Sequence, residues 1–287
     1  MHARIIHNDR LLELQKARLP ALSSAMLYGR GVFTTLAVHR GRPFLWPEHW
    51  ARLVAHAERC GVRPGHFDQE TTAQSLLKLI KENGVEEGRA RVTLLTRAVR
   101  SVWKEKNSGG VETDLLIMTG DARPAPEEGL AITLSPYRLN TLSPLAGVKS
   151  VNYLEHVIGW EEAHARDFHE AVVLNERGEI AGATMANIFW ATRGTLHTPA
   201  LITGALAGTT RARVIALAEE LAFPLVEGVY DTSDLSDADE IFLTSAAHGV
   251  GLVTTYDFHR YTVSAGSVAL RLREAFRQLT LSGDETT

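Results

Sequence analysis

The sequence has a single cysteine, Cys60, so no disulfide bond can form within the chain. The helical spacing of the apolar residues around Cys60 favours a small packed thiol over a nucleophile. Residues 1–20 mix charges with apolar residues, which is unlike a signal peptide. No run of about 18 apolar residues occurs, so no membrane-spanning helix is predicted. Together these absences predict a cytoplasmic protein of a reducing compartment.

The chain has little excess charge of either sign. Lys and Arg number 30 and Asp and Glu number 34, which gives a formal net charge of −4. This balance argues against a nucleic-acid-binding protein that relies on overall positive charge. Hydrophobic residues make up 45% and charged residues 22% of the 287 positions, which is typical of a globular protein long enough for two domains.

Several common catalytic and binding motifs are also missing. None of the 12 histidines is two or four residues from another, so no zinc-binding pair is predicted on a strand or helix. The HExxH, GxSxG and GxxxxGK[ST] motifs do not occur. Gly29-Arg30-Gly31 begins like a dinucleotide-binding motif, but it lacks the third glycine and precedes a predicted strand. The sequence therefore predicts no metal site, serine hydrolase, P-loop or Rossmann site.

Hydrophobic periodicity predicts helices and strands interspersed along the chain. Predicted helices run from Pro47 to Gly61 and over 70–83, 153–166, 209–222 and 265–281. Hairpins are predicted at 31–46, 170–182 and 187–198, and single strands at 89–97, 114–119, 131–135 and 240–245. Hairpins outnumber βαβ units, which favours an α+β (mixed α/β) fold over a doubly wound sheet.

Residues 120–129, GDARPAPEEG, interrupt this pattern with two prolines, two glycines and several charges. Such a composition is typical of a linker between domains. The predicted organisation is a small N-terminal α/β domain over 1–120, a linker over 121–129, and a larger C-terminal domain over 130–287 that contains Lys149.

Two segments contain residues suited to binding a phosphate and an aldehyde. Thr209 and Thr210 begin a predicted helix, and the unpaired N–H groups of a helix start bind anions. Taken alone, this segment is also explained by a threonine that caps the helix. Lys149 lies in a short polar segment with Tyr153 four residues later. It is either a solvated surface lysine or a lysine that forms a Schiff base.

Four ordered blocks resemble the fold-type IV pyridoxal-phosphate enzymes, also called class IV aminotransferases. This family includes branched-chain and D-amino-acid aminotransferases and 4-amino-4-deoxychorismate lyase. The blocks are YGRGVFTTL at 28–36, EHWARL at 48–53, KSVNYLE at 149–155 and ANIFWATRGTLHTPALITGALAGTTR at 186–211. The resemblance implies a two-domain, D-amino-acid aminotransferase-like fold, a pyridoxal 5′-phosphate cofactor and a homodimer.

The resemblance also implies roles for individual residues. Lys149 matches the lysine that forms the Schiff base with the cofactor, and Arg52 matches the arginine that binds its phosphate. The other residues that match cofactor contacts are Tyr153 near the phenolic oxygen, Leu206 on the pyridine ring, and Thr209, Thr210 and Ala246 at the phosphate.

Two positions depart from the family pattern. Gly182 stands five residues before Asn187, where members usually have a glutamate that pairs with the pyridine nitrogen. Glu179 has the wrong strand parity to replace it. Without the carboxylate, negative charge that develops on the substrate is less stabilised. Ala246 stands where aminotransferases often have a phosphate-binding threonine, although the lyases can also have alanine there.

Two details favour the lyase. Phe33-Thr34-Thr35 resembles the lyase FTT block, whose second threonine, here Thr35, is implicated in proton transfer. The spacing of Lys149 and Asn152 is shared by the lyase and the D-amino-acid enzymes. The predicted catalytic residues are therefore Lys149 and Thr35. The predicted substrate contacts are Phe33, Arg97 and His248. The basic loop 97–109 either reaches substrate carboxylates, in its own or a partner's site, or is a solvated loop.

Three hypotheses remain open. The first is aminodeoxychorismate lyase activity, which releases pyruvate and gives 4-aminobenzoate. The second is an aminotransferase for D- or branched-chain amino acids. The third is a pyridoxal-phosphate-binding homologue with weak or altered catalysis, because Gly182 replaces the usual glutamate. The sequence does not rank the substrates, since pocket loops decide them.

Overall fold

The computed structural model describes residues 1–97 and 113–282. The contacts divide the chain into an N-terminal unit, Met1–Arg123 with Val148–Tyr153, and a C-terminal unit, Pro124–Gly147 with Leu154–Thr287. The division after Arg123 falls inside the segment 121–129 that the sequence predicts as a linker. Lys149 belongs to the N-terminal unit, which corrects its expected place in the C-terminal domain.

The N-terminal unit is a six-stranded antiparallel sheet with helices. The strand order is β2-β1-β6-β5-β3-β4. The strands are β1 (Arg4–His7), β2 (Arg10–Glu13), β3 (Gly31–His39), β4 (Arg42–Pro43), β5 (Gly88–Thr96) and β6 (Thr113–Asp121). The helices are α1 (Ser24–Tyr28), α2 (Trp46–Arg59) and α3 (Gln69–Glu82), and Leu14–Lys16 form a 3₁₀ turn.

The predicted hairpin at 31–46 and the helix that follows it are confirmed. β3 pairs with β4 through Val38↔Pro43 and His39↔Arg42. α2 has a proline in its first turn. Backbone N–H groups of the first turn have no acceptor within the helix, so the absence of an N–H in proline costs no hydrogen bond there. In the hydrophobic core, alternate residues of β3 pack against one face of α2. The fully buried residues of this core include Val32, Leu36, Val38, Leu53 and Ala57.

The C-terminal unit contains a nine-stranded mixed sheet. Its order is β12-β11-β10-β13-β14-β7-β8-β9, with β15 paired to β14. The strands are β7 (Leu130–Leu139), β8 (Glu170–Asn175), β9 (Ile180–Ala183), β10 (Asn187–Thr192), β11 (Thr195–Pro199), β12 (Leu225–Gly228), β13 (Glu240–Ser245), β14 (Gly249–Tyr256) and β15 (His259–Arg260). The helices are α4 (Leu154–Ala165), α5 (Thr209–Glu220), α6 (Thr232–Ser236) and α7 (Val268–Ser282), with a 3₁₀ turn at Leu201–Thr203.

Both hairpins predicted in this half are present. β8 and β9 pair antiparallel around the turn at Asn175–Gly178, and β10 and β11 pair around Arg193-Gly194. Arg193 and Gly194 both have positive φ, at 52° and 79°, which suits the right-handed twist of a two-residue hairpin. Parallel pairing of β7 with β8 across α4, and of β11 with β12 across α5, adds two βαβ units. The predicted α+β character is thereby confirmed.

In the part of the chain that the structure describes, no helix combines the length and the apolar character needed to cross a membrane.

Candidate active site

The side chain of Lys149 lies among aromatic groups of the N-terminal unit. Its Nζ is 3.3 Å from the hydroxyl oxygen of Tyr153 and 4.6 Å from the centres of both the Tyr153 and Phe33 rings. The two rings meet edge to face, with their centres 5.1 Å apart. Of the predicted site residues, Lys149, Tyr153 and Phe33 are therefore brought together within one unit.

The surroundings of the Lys149 amine disfavour a positive charge. The residue as a whole is half-buried, and its amine is desolvated by burial. Burial first, and then the charges of Arg52 and Arg91, lower the pKa of Lys149 to about 7. At neutral pH about half of the amines are therefore unprotonated, which is the form that attacks an aldehyde.

Helix α2 presents His49, Arg52 and His56 along one face, since they follow each other at intervals of three and four residues. Arg52 donates from Nη2 to Thr34 Oγ1 at 2.9 Å, and His49 Nδ1 lies 2.7 Å from the same oxygen. Burial, followed by the charges of Arg52 and Lys149, holds the pKa of His49 well below its usual value. Thr34 thus links Arg52 to a neutral, buried histidine.

The guanidinium of Arg52 is itself partly desolvated. Burial lowers its pKa to about 10, against a smaller opposing effect of Tyr153. The group therefore stays charged at neutral pH. A desolvated guanidinium forms strong charge-assisted hydrogen bonds, and its planar fork matches the oxygens of a phosphate.

A second cation, Arg91, lies on the sheet face that carries Phe33. The guanidinium carbon of Arg91 is 3.5 Å from the centre of the Phe33 ring. Strand pairing sets Arg91 opposite Thr35, and alternate residues of one strand share a face. Phe33, Thr35 and Arg91 therefore share one face of the six-stranded sheet, and the predicted catalytic residue Thr35 is half-buried there.

Arg97, which follows the last residue of β5, forms an ion pair with Asp114 of β6. Its Nε donates to the two carboxylate oxygens of Asp114 at 3.1 and 3.2 Å, and Asn8 donates to the same carboxylate at 2.5 Å. Burial alone would raise the pKa of Asp114, but these hydrogen bonds outweigh it and hold that pKa below its usual value. The rest of the predicted substrate loop, 98–109, lies outside the described residues.

In the C-terminal unit, α5 begins at Thr209 and Thr210 with Gly208 as its N-cap. No side chain of the cap residue bonds to the helix start, so the alternative of a capping threonine is wrong. A Cβ at Gly208 would lie 2.1 Å from Asn187 Oδ1, so a larger residue there would require the Asn187 side chain to move. Asn187 Nδ2 donates to the carbonyl oxygen of Leu206 at 2.8 Å, which holds the segment before the helix.

Gly182 lies in β9 opposite Val173, with a φ of 151° that L side chains rarely adopt. A Cβ there would also lie 3.3 Å from the carbonyl oxygen of Ala186. Three carboxylates belong to the same hairpin, and all are engaged. Glu176, in the turn, accepts hydrogen bonds from Thr141 and Arg177. Glu170 is buried and accepts hydrogen bonds from Thr184 and Met185, whereas Glu179 accepts from Arg177 and Asn175.

Ala246 and His248 lie in the turn between β13 and β14, and both are half-buried. The backbone N–H of His248 donates to Ser245 Oγ at 3.2 Å. Just before this turn, Thr244 is buried opposite Asn187, and its Oγ1 has no hydrogen-bond partner among the described residues. A buried hydroxyl group of this kind is available to a ligand.

Each unit, taken by itself, contains groups suited to one part of a cofactor that carries an aldehyde and a phosphate. The N-terminal unit supplies an amine with a pKa of about 7 and a desolvated guanidinium. The C-terminal unit supplies a helix start without a side-chain cap and the buried hydroxyl of Thr244. Within residues 1–97 and 113–282, no group of three or more His, Cys, Asp or Glu could hold a metal ion.

Comparison with known proteins agrees with this chemistry. The model of the amino-transferase class IV family matches residues 31–256. A Methanocaldococcus jannaschii protein, provisionally named a branched-chain-amino-acid aminotransferase, is 30% identical over 96% of each chain. The aminodeoxychorismate lyase of Bacillus subtilis is 28% identical over 94% of this chain and 92% of its own. The branched-chain aminotransferase structure from Thermoproteus uzoniensis has a TM-score of 0.89 at 25% identity, covering 99% of this chain and 97% of that one.

The chain belongs to the amino-transferase class IV family. It is an enzyme, and its cofactor is pyridoxal 5′-phosphate, as the four blocks predict. The predicted fold type is confirmed as well.

Three residues of the lysine environment were not predicted from the sequence, namely His49, His56 and Arg91. The histidines occupy core-facing positions of an amphipathic helix that otherwise buries Trp50 and Leu53. Titratable residues at positions where a core side chain is expected were the available signal for the histidines. Arg91 alternates with the buried Ala90 and Val92 of β5, so no such signal marks it.

Proposed function

We propose that the chain is a lyase that releases pyruvate from aminodeoxychorismate, or from a close chemical relative, to give 4-aminobenzoate. The placement of Thr35 is the observation that supports this most directly. In the resemblance, Thr35 matches the threonine associated with proton transfer in the lyases. It shares a sheet face with Phe33 and Arg91, and the Lys149 amine lies 4.6 Å from the centre of the Phe33 ring.

When bound, pyridoxal phosphate supplies an aldehyde and an electron-withdrawing ring. In our proposal Lys149 would hold the cofactor through its aldehyde. Once the amine of a substrate had replaced it there, the freed neutral amine of Lys149 would accept a proton from the substrate and return it. Arg52 binds the phosphate by charge-assisted hydrogen bonds. Arg91 offers a positive charge to a substrate carboxylate beside the Phe33 ring, and Thr35 offers a hydroxyl group for proton transfer.

The remaining assignments are also proposals, which rest on the family resemblance. In the C-terminal unit, the N–H groups at the start of α5 suit a phosphate. The residues proposed to contact the cofactor there are Leu206, Thr209, Thr210 and Ala246, and Tyr153 does so in the N-terminal unit. The residues proposed to contact the substrate are Phe33, Arg97 and His248.

An aminotransferase for branched-chain or D-amino acids is the second candidate. The 30% identity to the Methanocaldococcus jannaschii protein favours a branched-chain enzyme, since it slightly exceeds the 28% identity to the Bacillus subtilis lyase. A protein with weak or altered catalysis is the third candidate, because Gly182 offers no carboxylate to the pyridine nitrogen.

One experiment separates the three candidates. The purified holoenzyme is incubated with aminodeoxychorismate, and pyruvate and 4-aminobenzoate are measured. In parallel, D- and L-amino acids are added and conversion of the cofactor to its pyridoxamine form is followed by absorbance. Equal amounts of pyruvate and 4-aminobenzoate support the lyase. Stoichiometric pyridoxamine formation, with no pyruvate or 4-aminobenzoate released from aminodeoxychorismate, supports the aminotransferase. Failure of both reactions with the cofactor still attached supports the third candidate.

We also propose a cytoplasmic homodimer, as the family resemblance implies. Light scattering at micromolar concentration tests the assembly, with twice the 31.5 kDa chain mass as the expected result.

Replacement of Arg52 by alanine is expected to weaken cofactor binding far more than it destabilises the fold. A charge-assisted contact contributes about 1.5–3 kcal/mol, which is roughly ten- to a hundredfold in affinity. Titration of the apoprotein with pyridoxal phosphate measures the loss. Arg59→Ala, an exposed position on the same helix, is the control. Equal affinities for Arg52→Ala and the wild type would refute the assignment.

Substitution of Gly182 is expected to destabilise the protein, whatever the new side chain. The φ of 151° and the nearby carbonyl of Ala186 make any Cβ there costly, by about 1–3 kcal/mol. Gly182→Ala and Gly182→Glu should therefore both lower the urea midpoint. Gly266→Ala is the control, because a Cβ at Gly266 meets no atom within 4 Å. An unchanged midpoint for Gly182→Ala would show that the backbone accepts a side chain. The effect of the carboxylate on activity is then measured by comparing the activity of Gly182→Glu with that of Gly182→Ala.

A further inference from the structure

The backbone of Lys149 is held at two points within the N-terminal unit. Residues 149–151 run antiparallel to the start of β3, with Val32 bridged to Ser150. In this pairing Phe33 N–H donates to the carbonyl oxygen of Lys149, and Val151 N–H donates to that of Gly31, both at 3.0 Å. A regular antiparallel ladder would return a bond from the N–H of Lys149 to the carbonyl oxygen of Phe33, but no such bond is seen among the described residues, so that donor needs another acceptor.

His56 supplies that acceptor. The N–H of Lys149 donates to His56 Nδ1 at 3.1 Å. A backbone N–H can only donate, so Nδ1 carries no proton and the ring is neutral with its proton on Nε2. His56 is 6% exposed. Burial, followed by the charges of Arg52, Arg59 and Lys149, lowers its pKa to about 4, so this state persists at neutral pH.

We propose that His56 is a positioning residue, which fixes the backbone of Lys149 and thereby the place of its amine relative to Phe33 and Tyr153. The lysine side chain has four rotatable bonds, so its amine keeps a defined position only when the backbone beneath it does. His56 lies one turn after Arg52, and α2 therefore holds both the guanidinium and the lysine backbone. This role rests on the proposed attachment of the cofactor to Lys149.

Three variants test the role. His56→Asn keeps a carbonyl oxygen where Nδ1 stands, His56→Leu removes the acceptor, and Cys60→Ser, on the next turn of the chain, is the control. The first measurement is hydrogen–deuterium exchange of the Lys149 amide in the apoprotein, resolved by fragmentation of the 147–153 peptide. We expect exchange about ten- to a hundredfold faster in His56→Leu, and rates close to wild type in the other two variants.

The second measurement is the rate at which borohydride fixes pyridoxal phosphate on Lys149, followed by peptide mass spectrometry. We expect it to fall in His56→Leu and to recover in His56→Asn. Equal Lys149 amide exchange in His56→Leu and wild type would overturn the positioning role. A wild-type adduct on another lysine would instead overturn the cofactor assignment, while the exchange result stood.

One measurement needs no substitution, should His56→Leu fail to fold. Nitrogen NMR of histidine-labelled wild-type apoprotein reports which ring nitrogen carries the proton. We expect the Nε2–H form of His56 at neutral pH. A protonated Nδ1 could not accept from Lys149 and would exclude the proposal.

Discussion

Lys149→Ala is expected to lower turnover by about 10²- to 10⁴-fold, which is the usual contribution of one positioned proton-transfer group. The loss should exceed this range if covalent attachment of the cofactor is also required. The reason is the surroundings of the amine, 3.3 Å from the Tyr153 hydroxyl and with a pKa lowered to about 7. Turnover with aminodeoxychorismate and with an amino-donor panel measures the effect.

The control for this substitution is Lys81→Ala, at an exposed position in the last turn of α3. Borohydride reduction followed by mass spectrometry should find the cofactor on the peptide that contains Lys149 in the wild type and in Lys81→Ala, and on no peptide in Lys149→Ala. The folded state should survive the loss of Lys149, because the substitution removes a desolvated amine rather than a packed core residue. Full activity in Lys149→Ala would rule out the assignment.

The elements with strong local signals were predicted to within a few residues. Pro47 and Gly61 bracket α2, Asn83-Gly84 ends α3, and Arg193-Gly194 forms the turn of a hairpin. In each case a proline, a glycine or a positive φ acts within a few residues, so the sequence alone carries the signal.

Elements that depend on distant partners were missed. β1 and β2 are only four residues each, and β1 is held by pairing of Ile6 and His7 with β6, more than a hundred positions later. β14 contains two glycines and shows no clear alternation, yet it pairs with β13 and with β7. The pairings with β6 and with β7 span such distances and leave no local pattern in the sequence. The β1–β2 hairpin carries a local signal that was missed, since its turn residues Asn8 and Asp9 both have positive φ.

In the candidate site, the four sequence blocks predicted the roles of individual residues but not the residues that surround the Lys149 amine. Lys149, Arg52 and Tyr153 were named from their motifs, and the structure places them in one unit. The neutral histidines of α2 were missed, since their state depends on burial and on nearby cations that only the fold assembles. The sequence also did not reveal that position 182 has a φ of 151°, because the only sign of such a conformation in the sequence is the glycine itself.

The rate of cofactor capture by the apoprotein is expected to rise with pH around a midpoint near 7. An ordinary lysine, with a pKa of about 10.4, is neutral in well under one molecule in a thousand at pH 7. For Lys149, burial and the charges of Arg52 and Arg91 lower the pKa to about 7. The reactive neutral form at that pH is then enriched by about a thousandfold. Stopped-flow mixing with pyridoxal phosphate between pH 5 and pH 9 measures the profile.

The same shift has a consequence for stability, with a definite sign. Between pH 7 and the ordinary lysine pKa, the unfolded chain binds the proton that the folded chain has lost. Through this group, the free energy of unfolding of the apoprotein therefore rises with pH across that interval. Below pH 7 both states are protonated, and the folded state carries the full cost of the buried charge. Urea unfolding of Lys149→Met, which has no amine to titrate, isolates this contribution.

Arg91 allows the electrostatic part of the shift to be separated from the burial. Arg91→Met keeps a long side chain but removes one of the two cations that lower the pKa of Lys149. The midpoint of cofactor capture should therefore move to higher pH, and capture at pH 7 should slow. Arg89→Met, in the same strand, is the control, because Arg89 is not among the charges that shift Lys149. A wild-type midpoint near 10 would contradict the buried amine. An unshifted midpoint in Arg91→Met would leave burial and Arg52 as its causes.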